Sequence, residues 1–268
     1  MKVSIIMGIY NCENTLDESL QSIFNQTFQN WEFIICNDGS TDKSYNIAEK
    51  YAKNDKRIKL IQNEKNMGLN YTLNHCLKYA QGEYIARMDG DDISLPTRLQ
   101  KEVEFLDSHP DYSIVSTPMI YFDERGEFAI GKSIKIPTKY DAIKGTPFCH
   151  APCMVRKRAY DAVKGYSIDK KTLRVEDYDL WIRMMSLGFR GYNLSEPLYK
   201  MRDDRDAYSR RKYKYRINEA YVKYKAVKLL KLPLKYSVFI LRPLIVGCIP
   251  SFLYKKLHSK KIQGGINI

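Results

Sequence analysis

The feature that most restricts the fold of this chain is a regular switching between two hydrophobic periods. "VSIIM" (3–7), "WEFIICND" (31–38), "IKLIQN" (58–63) and "EYIARMD" (83–89) are short apolar, β-rich runs, each closed by polar or turn-forming residues. Between them lie segments of helical spacing. Residues 15–27 repeat Leu16, Leu20, Ile23 and Phe24 behind an Asn14 or Thr15 cap, 43–53 carry Ile47, Ala48 and Tyr51, and 68–80 carry Leu69, Leu73, Cys76, Leu77 and Ala80. Strand and helix alternate four times in under 95 residues. The expectation is an α/β fold, a mostly parallel sheet with right-handed crossovers and helices on both faces.

Such sheets bind ligands beyond the C-terminal ends of their strands. Those ends read Tyr10 and Asn11, Asn37 and Asp38, Asn63, and Asp89, Gly90, Asp91 and Asp92. The dinucleotide fingerprint G-x-G-x-x-G and the P-loop G-x-x-x-x-G-K-[ST] are both missing, which argues against a dinucleotide oxidoreductase or a P-loop NTPase. Further on, a helix is expected from Pro96 to about Ser108. Strands follow at 112–122, broken at Pro118, at "GKSIKI" (131–136) and at "CMVRK" (153–157). Residues 176–188 read as a helix with Gly188 at its C-cap, and "GYNLSEPLYKM" (191–201) as a strand with a turn at Pro197.

Asp89, Asp91 and Asp92 crowd three like charges into four positions. A solvated turn with a helix N-cap would account for one of them. Three at a strand end suit a hard divalent cation, Mn²⁺ or Mg²⁺, which uses one or two carboxylates and completes its shell with water and substrate phosphates. A second acidic pair, Glu176 and Asp177, opens the 176–188 helix. It reads equally as a first turn favoured by the helix dipole or as a general base facing the same pocket. The Cys149-His150-x-x-Cys153 spacing lacks the second ligand pair that a closed zinc site needs.

The net charge of +13 is unevenly spread. Residues 1–199 hold 26 Lys/Arg and 27 Asp/Glu, whereas 200–268 hold 18 and 4. The chain therefore divides into a body, 1–202, and a basic, partly apolar helical tail, 203–268. In the tail, "YSVFILRPLIVGCIPSFLY" (236–254) is interrupted by Arg242, Pro243 and Pro250, so an interfacial or re-entrant placement suits it better than a span. Basic residues flanking an apolar run favour an anionic membrane surface, at about 1 kcal/mol per charge, over nucleic acid. A helical pair packed on the body with a solvated basic face is the plainer reading. The six scattered cysteines show no disulfide rhythm, and the apolar run at the N-terminus is too short for a secretory signal. A reducing cytoplasmic setting is expected, with peripheral attachment to the inner face of the cell membrane.

"VSIIMGIYN", "NDGSTD", "NMGLNYTLNHCL", "YIARMDGDD" and "VEDYDLWIRM", in this order and at these separations, resemble the family 2 glycosyltransferases over about residues 1–202. The resemblance implies the GT-A fold and an inverting enzyme that uses a nucleotide-diphosphate sugar, with a metal-bound donor. Ile9 and Tyr10 would contact the nucleobase, and Asp38 would accept the ring N–H of a uracil-like base. Asn66 would belong to the same nucleotide-sugar site. Asp89 and Asp91 would form the D-x-D pair on donor and metal, Asp91 foremost, with Asp92 as a further ligand or ribose contact. Arg87 would point to the same sheet face as Asp89, in a sheet-face ion pair or, as the second reading, on the diphosphate. Asp177 would take the proton from the acceptor hydroxyl, with Glu176 as the second candidate. His150 is read as a hydrogen-bonded structural histidine and Trp181 as core.

Three departures stand out. Gly8 replaces a common proline, Gly90 a common alanine or serine, and "MRDDRDAYSRR" lacks the histidine that some members place after the last core strand. The Q-x-x-R-W pattern of processive synthases is absent, which implies one sugar per encounter. The expected reaction moves that sugar from a UDP-linked donor to a hydroxyl of a glycan or lipid-linked oligosaccharide in bacterial cell-surface polysaccharide assembly. The alternatives are a sugar-phosphate nucleotidyltransferase, though "GIYNCENT" lacks its Gly-rich basic loop, and a non-enzymatic membrane- or RNA-binding protein with a basic tail.

Overall fold

The structure, a computed structural model, describes residues 1–203 and 212–248. Most of the basic loop "MRDDRDAYSRR" and the "KKLHSKK" run lie outside the described residues. The four anticipated strands and the three helices between them are present as β1 (Val3–Ile9), α1 (Leu16–Phe24), β2 (Trp31–Asn37), α2 (Ser44–Asn54), β3 (Ile58–Gln62), α3 (Leu69–Leu77) and β4 (Tyr84–Arg87). β1 pairs in parallel with β2 on one side and β4 on the other, and β2 pairs in parallel with β3.

The alternation along each strand sends side chains to two cores. Ile5, Met7, Phe33, Ile35 and Ala86 face α1 and α4 (Arg98–Ser108), meeting Leu16, Leu20, Leu99 and Val103. Ile6, Ile34, Cys36 and Ile85 face the opposite layer, with Leu73 and Cys76 of α3 and Leu180, Trp181 and Met184 of α7 (Glu176–Ser186). Each such fully buried aliphatic side chain contributes about 1.5–3 kcal/mol.

The rest of the large sheet comes from β6 (Tyr112–Ser116), β9 (Met154–Arg156) and β10 (Arg190–Asn193), giving seven strands in the order β10-β6-β9-β4-β1-β2-β3. β9 runs antiparallel to both neighbours. The order reverses between β1 and β4, which places a ligand crevice at their C-terminal ends. A second sheet, β5-β11-β7-β8, joins β5 (Ile93–Ser94), β7 (Met119–Asp123), β8 (Gly126–Ile130) and β11 (Tyr199–Arg202).

Two expectations need correcting. "GKSIKI" is not a strand beyond an isolated bridge; the strand before it, β8, forms a hairpin with β7 instead. The small sheet was also not foreseen, because β11 must reach back to β5 and β7 across more than half the fold.

Two short helices, α5 (Lys139–Ala142) and α6 (Lys157–Val163), connect these parts. Beyond the body, α8 (Tyr213–Leu229) lies against α7, Val222 and Ala226 sharing an apolar cluster with Tyr178 and Ile182. A 3-10 turn (Leu234–Ser237) leads into α9 (Val238–Gly247), which contains Pro243. Among the described residues no helix is long and apolar enough to cross a membrane.

Candidate active site

The loops after β1 and β2 are laced into one wall. Asp38 N–H donates to the Ile9 carbonyl at 2.9 Å, so the two strand ends stay in register past the sheet. Asn11, in the left-handed region at φ 49°, accepts from Thr41 N–H at 2.9 Å, while Cys12 N–H donates to Ser44 Oγ at 2.8 Å and Glu13 N–H to Asp42. Ile9 is buried at the strand end and Tyr10 projects, 49% exposed, where a planar group could lie against it. Gly39, at φ 73°, packs on the backbone of Lys65 and Asn66, where a Cβ would come within 2.9 Å of Asn66 N. Asn66 itself is exposed beside this wall.

Asp38 is buried and already engaged. Its Oδ1 accepts from Asn63 Nδ2 and Met67 N–H, both at 2.8 Å, and Oδ2 from Gly68 N–H at 2.9 Å. A carboxylate accepts at about four lone-pair sites, so one remains on Oδ2 for a further donor. Asn63 is oriented in turn by His75, whose Nδ1 lies 2.8 Å from its Oδ1. An amide oxygen only accepts, so that ring nitrogen carries the proton. Thr72 completes the cluster, accepting from Asn63 at 3.0 Å. It also explains Gly8: a Cβ there would stand 2.9 Å from Thr72 Cγ2.

The turn after β4 lies across the β1 edge of the crevice. Thr15 Oγ1 donates to the Gly90 carbonyl at 2.9 Å and Ser19 Oγ to that of Asp89 at 2.6 Å, so the N-terminal turns of α1 carry it. A Cβ on Gly90 would sit 3.0 Å from Cys12 Sγ, which accounts for glycine at this position. The three carboxylates differ. Asp91 is exposed, Asp89 is half-buried and ion-paired with Arg87, and Asp92 is 2% exposed. Asp92 Oδ1 accepts from Arg202 N–H at 2.8 Å, and the Tyr199 hydroxyl also bonds its carboxylate. Asp92, read from the sequence as a further ligand or ribose contact, is buried and braces the turn from within.

Tyr199 and Arg202 come from β11, and no local pattern in the sequence singles them out. The Tyr199 hydroxyl accepts from Asp89 N–H at 3.2 Å. Arg202 Nε donates to the Asp91 carbonyl at 3.1 Å, and its guanidinium also pairs with Glu18 at 2.6 Å.

Glu176 and Asp177 occupy the first turn of α7, both half-buried. Arg87, 4% exposed, joins this pair to the β4 turn: it is ion-paired with Asp89, and its charge also lowers the Glu176 carboxyl. Burial and the neighbouring Asp177 charge outweigh that effect and push Glu176 above the ordinary carboxylate range. One Glu176 oxygen is buried without a hydrogen-bond partner. His150 faces the same region. Its Nε2 lies 2.8 Å from the Tyr166 hydroxyl, and burial together with the Arg87 charge pushes the imidazole well below its usual range, keeping it neutral. Trp181 is fully buried, edge-on to Phe148 and His150.

The β4 turn suits a hard cation. Partial desolvation by the walls around the turn, although Asp91 itself reaches solvent, and the Asp89 charge raise the Asp91 carboxyl, and burial with both neighbouring charges raises Asp92 further. A divalent ion beside the exposed Asp91 would relieve that repulsion. Among the described residues no three His, Cys, Asp or Glu side chains form a ligand cluster. A site of one or two carboxylates, completed by water and diphosphate oxygens, is the Mg²⁺ and Mn²⁺ pattern.

A mostly parallel sheet that reverses order between β1 and β4, with carboxylates at its strand ends, is the arrangement of a nucleotide-sugar transferase of the GT-A type. The family model for glycosyl transferase family 2 matches residues 4–163, and the chain belongs to this family. It is 49% identical over 263 residues to "Putative glycosyltransferase EpsE" of Bacillus subtilis (strain 168), covering 98% of this chain and 95% of that protein. It is 32% identical over 204 residues to the Escherichia coli UDP-Glc:alpha-D-GlcNAc-diphosphoundecaprenol beta-1,3-glucosyltransferase WfaP, covering 74% and 77%. The S. aureus TarS 1-349 structure in complex with UDP superimposes with a TM-score of 0.70 at 21% identity, covering 96% of this chain and 78% of that one. The chain is a glycosyltransferase with the GT-A fold.

Proposed function

We propose that this enzyme transfers one sugar, with inversion, from a UDP-sugar to a hydroxyl of a glycan or lipid-linked oligosaccharide in cell-surface polysaccharide synthesis. The observation that carries this reading is that Asp38 is tied to the end of β1 next to β4, whose own end carries Asp89 on the buried Arg87. Tyr10 lies against the base, Asp38 accepts its ring N–H, and Asn66 lies at the rim. Asp91 and Asp89 hold a Mn²⁺ or Mg²⁺ ion that would screen the charge of the departing diphosphate. Asp92, Tyr199 and Arg202 fix the turn that carries them.

Displacement at the anomeric carbon has oxocarbenium character, as in glycoside hydrolysis. Asp177 takes the proton from the incoming hydroxyl, so that its oxygen attacks the face opposite the diphosphate. A positioned base contributes about 10²–10⁴-fold. Glu176 is the second reading for this base, because its raised carboxyl and unpartnered buried oxygen are features of a proton acceptor.

The donor and base belong to residues 1–202, and the tail serves a peripheral position on the inner face of the membrane. Leu234, Val238, Leu241 and Ile245 follow helical spacing and are 86%, 62%, 54% and 65% exposed, an apolar stripe that faces outward among the described residues. Lys231, Lys235 and Arg242 flank it. This combination fits the headgroup region of an anionic bilayer. Such a location suits an acceptor carried on a lipid.

A thermal-shift panel of nucleotide sugars with and without Mn²⁺ tests the donor site. Stabilisation by a UDP-sugar that needs the metal is expected, and no response to any nucleotide would overturn the reading.

A further inference from the structure

We propose that α8 is a positioning strut for the catalytic turn, so that part of the C-terminal segment belongs to the machinery of transfer. This rests on the assignment of the base to the acidic pair of α7.

Alongside its packing on α9, α8 makes a set of contacts on both sides of that pair. Ahead of it, Asn218 Nδ2 donates to the Leu173 carbonyl at 2.9 Å and to that of Lys170 at 3.3 Å, tying down the 3-10 turn Lys170–Thr172. Behind it, Lys225 pairs with Asp179, a fully buried carboxylate that also accepts from Arg183 Nε at 2.7 Å. Between these ties, Val222 and Ala226 pack on Tyr178 and Ile182. Lys223, itself buried, donates to the Ile143 and Lys144 carbonyls at 2.8 and 3.1 Å, which fixes α8 to the segment after α5 as well.

The turn held in this way needs holding. Arg174, two residues before Glu176, is in the left-handed region at φ 67°, a conformation that costs a non-glycine residue about 1–3 kcal/mol and persists only where its surroundings impose it. One face of α7, with Leu180, Trp181 and Met184, is set by the sheet. The other, with Tyr178, Asp179 and Ile182, is set by α8. The position of a carboxylate in the first turn is therefore fixed from both sides. A base must come within about 2.6–3.2 Å of the proton it takes, and a misplacement near 1 Å costs roughly 10²-fold.

The test compares Asn218→Ala, Lys225→Met and Lys225→Arg with Asp177→Asn in the full chain. Two readouts are used: Mn²⁺-dependent UDP affinity, and UDP release to water from whichever of UDP-glucose, UDP-galactose and their N-acetylamino counterparts the wild type consumes fastest. Asn218→Ala and Lys225→Met are expected to bind UDP within about twofold of wild type, confirming a folded donor site, and to lose tenfold or more in kcat. Lys225→Arg should restore most of it, and Lys225→Met should add little loss on top of Asp177→Asn. Wild-type kcat in Asn218→Ala and Lys225→Met, with Asp177→Asn inactive, would overturn the strut alone. Parallel loss of UDP affinity and kcat would overturn it too, as general unfolding. If Asp177→Asn and Glu176→Gln both turned over normally, the base assignment itself would fall.

Discussion

Arg87 and Asp89 are ion-paired at the end of β4, and the same guanidinium partly offsets the burial and the Asp177 charge that raise the carboxyl of Glu176 on α7. One buried cation therefore serves two acidic groups that lie 87 residues apart in the chain, as Asp89 and Glu176. It lets carboxylates meet in one crevice before any ligand arrives. Its own backbone carbonyl accepts from Arg98 at 2.9 Å, so its strand end is held from below.

Replacing Arg87 by methionine keeps the bulk and removes the charge. Breaking a buried ion pair costs about 3–5 kcal/mol; Asp89 is partly exposed, so a loss of about 2–3 kcal/mol is expected in urea unfolding. A variant as stable as wild type would show that the pair does not balance the site.

Asn63 tests the base-binding wall. Asn63→Ala removes one of three donors to Asp38 and releases His75 from its partner. UDP affinity should fall roughly tenfold, about 1.4 kcal/mol, with a smaller loss in melting temperature. Unchanged affinity would mean that Asp38 is held well enough by the Met67 and Gly68 amides alone.

The first four strands and the helices between them were legible because hydrophobic period is a local property, and so were the D-x-D and Glu176/Asp177 pairs, whose members lie within two residues of each other. The second sheet was not. β5 is only two residues long and β8, "GEFAI", carries a charge on an exposed edge, so neither has a readable period. Tyr199, Arg202 and Asn218 were invisible for a related reason: each acts singly, on a partner that only the topology brings near, whereas Asn63 was marked only as a strand end and not as a partner of Asp38. The inward turn of Asp92 is of the same kind, since it depends on where β11 arrives.

A pH effect on stability is expected from Glu102, which is fully buried beside Arg98 and pushed up from the ordinary 4.5 to about 7 by burial. The folded chain holds this proton more tightly than the unfolded one. The contribution therefore favours the native state at acidic pH and is lost as pH rises from about 4.5 through 7. Urea midpoints between pH 5 and 8 should show this decline, on the order of 2–3 kcal/mol, and Glu102→Gln should flatten it. Identical slopes in the two proteins would contradict it.

The apolar stripe of α9 predicts sedimentation with vesicles. Wild-type protein should co-sediment with phosphatidylglycerol-containing vesicles at low salt, and a Val238→Glu, Leu241→Glu double variant should lose most of that binding while still binding UDP. Equal binding by both would leave attachment to other residues.

The central claim is that the exposed carboxylate of the β4 turn grips the donor through an ion, while the acidic pair of α7 acts on the acceptor. Calorimetric titration of UDP into wild type, Asp91→Asn and Asp177→Asn, each in Mn²⁺ and in EDTA, tests it most directly. The account predicts that binding requires Mn²⁺, weakens at least tenfold in Asp91→Asn and is unchanged in Asp177→Asn. Equal UDP affinity with and without metal, or full affinity in Asp91→Asn, would contradict it.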